Sequence, residues 1–246
     1  MIQALRRRIA RPFRNAARKA MAKGGWADAL ANFKRVEAIN PQNRSVLLPI
    51  ANMHAELGQY AQAETAYHEA AQIPEYRLDA RIGMARVSVR KAEWPDALAR
   101  WDAVLEAMAK DEQVSPAVRS TWSMSPAEVF LQCALARELV GDAAGAERDL
   151  VLAMALEPKI RRSAAASLMR GRLLAASDIR AAYRVLLGAR ARYPDDYSIL
   201  YELTNVAVVA GERGEAEVLA AALIAMQPDN PSGRALVRER GLLADN

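Results

Sequence analysis

Alanines, aromatics and glycines recur along this chain at a fixed interval, and that interval predicts its elements. The stretch "GGWADALANF" at 24–33 returns as "GQYAQAETAY" at 58–67 and as "AEWPDALARW" at 92–101. Trp26, Tyr60 and Trp94 stand 34 residues apart, as do Ala29, Ala63 and Ala97, and Phe33, Tyr67 and Trp101, and Val36, Ala70 and Val104. Apolar residues spaced by three and four share one face of a helix. Gly24 and Gly58 precede the motif and end the helix before it, because glycine accepts the left-handed conformation at little cost. The alanine five residues after each glycine lets two helices touch closely while the aromatics fill the space around the contact. Pro41 and Pro74 stop the second helix of each pair.

Three later stretches follow the same template. "GDAAGAERDLVLAMALEP" at 141–158 places Gly141, Ala146, Leu150, Ala153 and Pro158 on it, with alanine in place of the first aromatic. "SDIRAAYRVLLGARARYP" at 177–194 supplies Ile179, Ala182, Leu186, Ala189 and Pro194, and "GERGEAEVLAAALIAMQP" at 211–228 supplies Gly211, Ala216, Ala220 and Pro228. Ala97 and Ala146 are 49 apart, one period plus 15, so an insertion lies between about 109 and 125. Within it Ser115-Pro116 could open a short helix, and Ser125-Pro126-Ala127-Glu128 has the form of a capping box. A last helix is expected from about Pro231 to Leu243, covering the apolar face that a final repeat would otherwise expose.

This 34-residue period with small residues at helix contacts resembles the tetratricopeptide repeat. The resemblance implies an all-α protein, a right-handed α-solenoid of about six helix–turn–helix repeats with a C-terminal capping helix. The expected organisation is a basic amphipathic extension at 1–9, repeats 1–3 at 10–108, the insertion at 109–125, repeats 4–6 at 126–230, and the capping helix and tail at 231–246. The family also implies a groove lined by the first helix of each repeat. Register carries that groove onto Arg11, Arg14 and Arg18 in repeat 1, Leu48 and Asn52 in repeat 2, and Ile82, Arg86 and Arg90 in repeat 3. Repeats 4 and 6 would add Glu128, Leu131, Gln132, Tyr201, Glu202 and Asn205. Arginine offers a rigid fork of donors matched to carboxylate, so an acidic peptide or C-terminal tail is the expected partner. The bland alternative for these arginines is a solvated helix face. Members that clamp chaperone tails use asparagine and lysine at positions held here by Pro49 and Asp79, which argues against that partner.

Composition sharpens this picture at one end. Apolar residues make up 52% but aromatics only 6%, so alanine and leucine dominate, which favours helix. The net charge is +5, yet residues 1–25 hold eight basic residues and no acid. Taking those eight from the 34 leaves 26 basic against 29 acidic in the remainder. Ile2, Leu5, Ile9, Phe13, Ala16 and Ala20 fall on one helix face, with Arg7, Arg11, Arg14 and Arg18 opposite. Residues 10–23 read as the first helix of repeat 1, with Phe13 in a tryptophan-like position and Ala16, Ala17 and Ala20 packed inward. Ile2, Leu5, Arg6, Arg7, Arg8 and Ile9 are left as a candidate contact with an anionic membrane. An organelle presequence is the third reading, against which stand the nine available residues and the absence of serine before Ser45. No secretory or membrane-spanning run is read, because arginines interrupt the early apolar stretches and "VLAAALIAM" at 218–226 is too short.

No residue set announces a reaction. His54 and His68 lie on different helices without partners at metal-ligand spacing, and Cys133 takes a small-residue position. Phosphate-loop, dinucleotide, nucleophile-elbow and zinc-protease motifs are lacking. No enzyme, metal or cofactor is expected, and nucleic acid is disfavoured because no aromatic platform interleaves with the arginines. Trp122, in the insertion, is either a plug between repeats 3 and 4 or an interaction anchor. The expectation is a non-catalytic protein-binding adaptor, bacterial by its alanine and arginine content, cytoplasmic or peripheral to the inner face of the membrane. The alternatives are a membrane-anchored adaptor and an accessory subunit of a cell-envelope or glycan assembly system. Self-association through repeat ends remains open.

Overall fold

The computed structural model describes residues 2–111 and 123–242. Among the described residues it holds thirteen α-helices and no strand: α1 Ile2–Met21, α2 Trp26–Ile39, α3 Leu47–Glu56, α4 Tyr60–Ala71, α5 Arg77–Arg90, α6 Trp94–Asp111, α7 Pro126–Leu139, α8 Ala143–Leu156, α9 Ala164–Ala175, α10 Ile179–Arg192, α11 Tyr197–Val209, α12 Arg213–Met226 and α13 Pro231–Glu239. Two compact units divide the chain, Met1–Val129 and Phe130–Asn246. The all-α solenoid class expected from the period is the class observed.

In the first unit α1 packs on α2, α3 on α4 and α5 on α6, and each pair stacks on the next. Ala17, Ala29, Ala51, Ala63, Ala85 and Ala97 are fully buried, so the motif alanines sit where helices touch. Phe33, Tyr67 and Trp101 fill the space beside them, at 4%, 3% and 0% exposure. Trp26 and Trp94 are only half-buried, so they close the edge of the core rather than its centre. Gly24 and Gly58 hold φ of +71° and +70° at the hairpin turns, and the third turn imposes φ +57° on Ala92, 34 residues after Gly58. Gly83 marks a close approach: a methyl there would lie 2.2 Å from Cε1 of Tyr67.

One expected boundary is not marked by a break in the helix. Residues 2–21 form a single helix that runs through Pro12, so the extension at 1–9 and the first helix of repeat 1 are one element. Its packed face also differs from the apolar face read from sequence. Ala10 and Ala17 are buried against α2 and α3, while Ala16 is exposed. Phe13 is half-buried in the same cluster, with the Arg35 guanidinium 5.7 Å above its ring.

The second unit pairs α9 with α10 and α11 with α12, and α13 packs on α12. Ala182, Leu186, Leu203, Ala216, Ala220 and Leu223 form its core together with Leu236, Val237 and Leu242 from the terminal segment. Side chains start its helices: Asp142, Ser163, Asp178 and Asp196 each accept from the amide three residues on. The capping helix stops at Glu239, short of the expected Leu243. Gly241 takes φ +58° and the Leu242 amide donates back to the Val237 carbonyl at 3.0 Å, which closes the helix. At the other predicted start, Ser125 N donates to Glu128 Oε2 at 2.8 Å and Glu128 N to Ser125 Oγ at 3.2 Å, the reciprocal box that opens α7. The expected helix at Ser115-Pro116 and the Trp122 anchor lie outside the described residues.

Candidate functional site

Asn52, Arg86 and Arg90 come together in the first unit, around a cleft of about 290 Å³ between α3 and α5. Met21, at the end of α1, and Trp26, at the start of α2, form one edge, and Tyr67 of α4 reaches it from below. The helical hairpins set this up. Asn52 and Glu56 are four residues apart on α3, Arg86 and Arg90 four apart on α5, so each pair projects from one face.

A chain of polar contacts fixes the floor. The Tyr67 hydroxyl donates to Asn52 Oδ1 at 2.6 Å, which leaves the Asn52 amide nitrogen as the group free to donate outward. Arg90 donates to Glu56 Oε1 at 2.6 Å and to the Ala55 carbonyl at 2.8 Å, bridging α5 to the last turn of α3. A guanidinium at a helix C-terminus also complements the helix dipole there. Burial pushes the Tyr67 hydroxyl up to about 12, with Arg86 and Arg90 pulling the other way, so it stays a proton donor at neutral pH. Arg86 is exposed and has no ion pair among the described residues, whereas Arg90 is neutralised by Glu56. The cleft therefore presents one uncommitted cation, one amide donor and an apolar edge.

The other expected groove residues distribute differently. Arg11 and Arg18 are exposed and Arg14 is half-buried, with its Nε out of solvent and unpaired. Arg14, Arg18 and Met21 follow at i, i+4 and i+7, one face of α1 leading to the cleft edge. Leu48 is half-buried against the core of repeat 2. Ile82 is not a groove residue: it is 1% exposed. One turn before it, Asp79 accepts from the Ser123 amide at 3.3 Å, so the end of the insertion passes over this part of α5.

The residues expected from repeats 4 and 6 are engaged internally. Glu202 accepts from Arg172 at 2.6 Å, and Glu138 lies 4.0 Å from the same guanidinium. Burial raises the Glu138 carboxyl while Arg172 opposes the rise. Asn205 accepts from Arg240 at 2.9 Å, Leu131 is buried, Gln132 half-buried, and Tyr201 stacks at 6.5 Å on Tyr197. Glu128 is spent in the α7 capping box.

Tyr67 and Glu56 belong to the cleft and were missed as site residues. The signal for Tyr67 was its hydroxyl, since Phe33 and Trp101 hold the same motif position without one. For Glu56 it was the four-residue step from Asn52. A larger depression of about 790 Å³ lies between α4, α5 and α6, lined by His68, Arg77, Arg81, Arg100, Glu106 and Lys110. Two of its cations are committed, Arg100 to the Met84 carbonyl at 3.2 Å and to Glu64 at 3.3 Å and Lys110 to Glu106 at 2.7 Å, while Arg77 reaches only the Ala71 carbonyl at 3.4 Å and Arg81 has no ion pair among the described residues. The smaller cleft is the better candidate because its unpaired guanidinium, Arg86, shares the lining with an amide donor, Asn52, that the Tyr67 hydroxyl holds in place.

His54 is buried with Nδ1 2.6 Å from Gln59 Oε1, His68 is exposed, and Cys133 is buried. Among the described residues no three His, Cys, Asp or Glu side chains gather as a metal-holding group, and no helix is long and apolar enough to cross a membrane.

Solved structures similar to this chain share one architecture. A tetratricopeptide repeat protein from Parabacteroides merdae matches with a TM-score of 0.70 at 14% identity, over 95% of this chain and 86% of that one. PilW, a widely conserved type IV pilus biogenesis factor, matches with a TM-score of 0.72 at 16% identity, over 93% and 98%. YrrB, a repeat protein of the same kind with an unusual peptide-binding site, matches with a TM-score of 0.56 at 16% identity, over 84% and 97%. No protein-family model and no curated protein matches the sequence.

Proposed function

We propose that this chain, which has the tetratricopeptide-repeat fold, is a non-catalytic adaptor that holds an acidic, carboxylate-bearing segment of a partner protein in the cleft between α3 and α5. The observation that carries this reading is Arg86. It is an exposed guanidinium without an ion pair among the described residues, set beside a fixed amide donor, Asn52, over an apolar edge. Arg86 supplies the charge-assisted bond to a carboxylate, and Asn52 donates to a backbone carbonyl of the bound segment. Met21 and Trp26 take an apolar side chain. Arg18 and Arg14, one and two turns up α1 from Met21, meet acidic residues further along, and Arg11 extends the same line. The likeness to YrrB supports peptide binding as a use of this fold. The adaptor works in the cytoplasm. No residue selects a cell-envelope or glycan machine, so that alternative is not pursued.

The test is recovery of the partner by crosslinking in native cells, followed by mapping of the segment held. The expected segment is acidic, its affinity falls with salt, and Arg86→Gln weakens it by roughly 10- to 150-fold, the worth of one hydrogen bond to a charged group. A captured segment that lacks acidic groups, or one held equally well by Arg86→Gln, contradicts the reading.

A further inference from the structure

The first turns of α1 carry an apolar stripe that the fold does not use. Ile2, Leu5 and Ile9 are 69%, 58% and 49% exposed, although they follow at i, i+3 and i+7 along one face. The reason is geometric. With 20 residues, α1 outruns its 14-residue partner α2 by six, about 9 Å at 1.5 Å per residue, so its beginning has no helix opposite. The Gln3 amide, bonded to Gln42 beyond the end of α2, pins this turn to the fold. The helix packs on the fold through Ala10, Ala17 and Met21, with Gln3 on the same line, roughly a third of a turn away from the Ile2–Leu5–Ile9 stripe.

Charge says what covers the stripe. Arg6 and Arg8 flank it, Arg7 and Arg11 lie on the far side, all four are exposed, and none has an ion pair among the described residues. No acid occurs in residues 1–25 to neutralise them. A nucleic acid or an acidic protein would satisfy the arginines but leave the isoleucines and leucine without a purpose. An anionic bilayer surface satisfies both, since apolar side chains enter the acyl boundary while arginines reach the headgroups. We propose that residues 2–11 are a peripheral docking helix for an anionic phospholipid bilayer, with Ile2, Leu5 and Ile9 inserted and Arg6 and Arg8 on the headgroups. The packing face stays on α2, so docking requires no unfolding. This proposal is independent of the peptide cleft.

Co-sedimentation of the full chain with two vesicle types tests it, phosphatidylcholine alone and phosphatidylcholine with phosphatidylglycerol. Retention is expected on the mixed vesicles only and is reduced by salt. Each arginine near an anionic surface is worth about fivefold in partitioning, so Arg6→Gln, Arg8→Gln together lowers retention about 25-fold. Ile2→Ser, Leu5→Ser, Ile9→Ser lowers it at least about tenfold, by removing the inserted apolar area. These side chains are exposed, so the unfolding midpoint of both variants stays at the wild-type value. Asn52→Ala, Arg86→Gln, which empties the cleft of donors, sediments like wild type, whereas the docking variants keep their peptide binding. Retention by neither vesicle overturns the proposal. So does an apolar variant that sediments like wild type, which leaves charge alone at work, and so does binding to DNA or polyglutamate that vesicles fail to compete away.

Discussion

Gly83 is the point at which α5 admits the Tyr67 ring, and it links packing to the cleft. A methyl at 83 would overlap a ring that is 3% exposed and tethered to Asn52, so neither side can yield freely. Overpacking costs about 1–3 kcal/mol, against about 1 kcal/mol gained in helix propensity. Gly83→Ala is expected to lose up to about 2 kcal/mol in urea unfolding and to weaken peptide binding by displacing Asn52. Tyr67 also makes a pH prediction. Its folded value of about 12 lies above the ordinary 10.0, so the fold holds this proton more tightly than the unfolded chain does. That stability is whole below pH 10 and is lost as pH rises toward 12, amounting to about 2–3 kcal/mol. Tyr67→Phe should flatten the fall in melting temperature between those pH values, and an unchanged slope would contradict the assignment. Sequence spacing placed Tyr67 in the core correctly, but a period records only size and polarity, and so it could not show where the hydroxyl points.

Among the elements, the hairpins were legible because their signals are local and repeated. Ala29, Ala63, Ala97, Ala146, Ala182 and Ala216 are all fully buried, as the shared template requires. The third turn departs from the rule that glycine serves there, since Ala92 bears a φ of +57°. The left-handed conformation costs an alanine about 1–2 kcal/mol, and part of that is offset by the smaller entropy it loses on folding. Ala92→Gly is therefore expected to raise stability by about 0.5–1 kcal/mol, read from the urea midpoint; a drop would mean that the turn is not strained. The orientation of α1 was not legible. Its apolar periodicity points along Ile2, Leu5, Ile9 and Phe13, yet which face is buried is set by how α2 and α3 pack on it, and how far along is set by their lengths, both tertiary properties. Register put Ile82 in the groove, yet it is buried at 1% exposure, because a period places a residue on a helix face without saying how far neighbouring elements cover that face.

For the whole molecule, the fold followed from the period and the function did not, because a repeat scaffold specifies a place for a partner and leaves the partner to a few exposed side chains. Those side chains are concentrated in the first unit, where Arg86 and Asn52 stay open, whereas the matching faces of the second unit close on themselves through Arg172, Glu202 and Arg240. Binding should accordingly be weakened by salt and by changes in α3 and α5, and little affected by Glu202→Gln. The central claim is that this cleft reads acidic peptide, and the most direct measurement is selection from a random peptide library on the immobilised chain, run in parallel on the Asn52→Ala, Arg86→Gln variant. The account predicts acidic sequences enriched on the first and absent from the second. Enrichment of the same peptides on both, or of peptides without acidic groups, would contradict it.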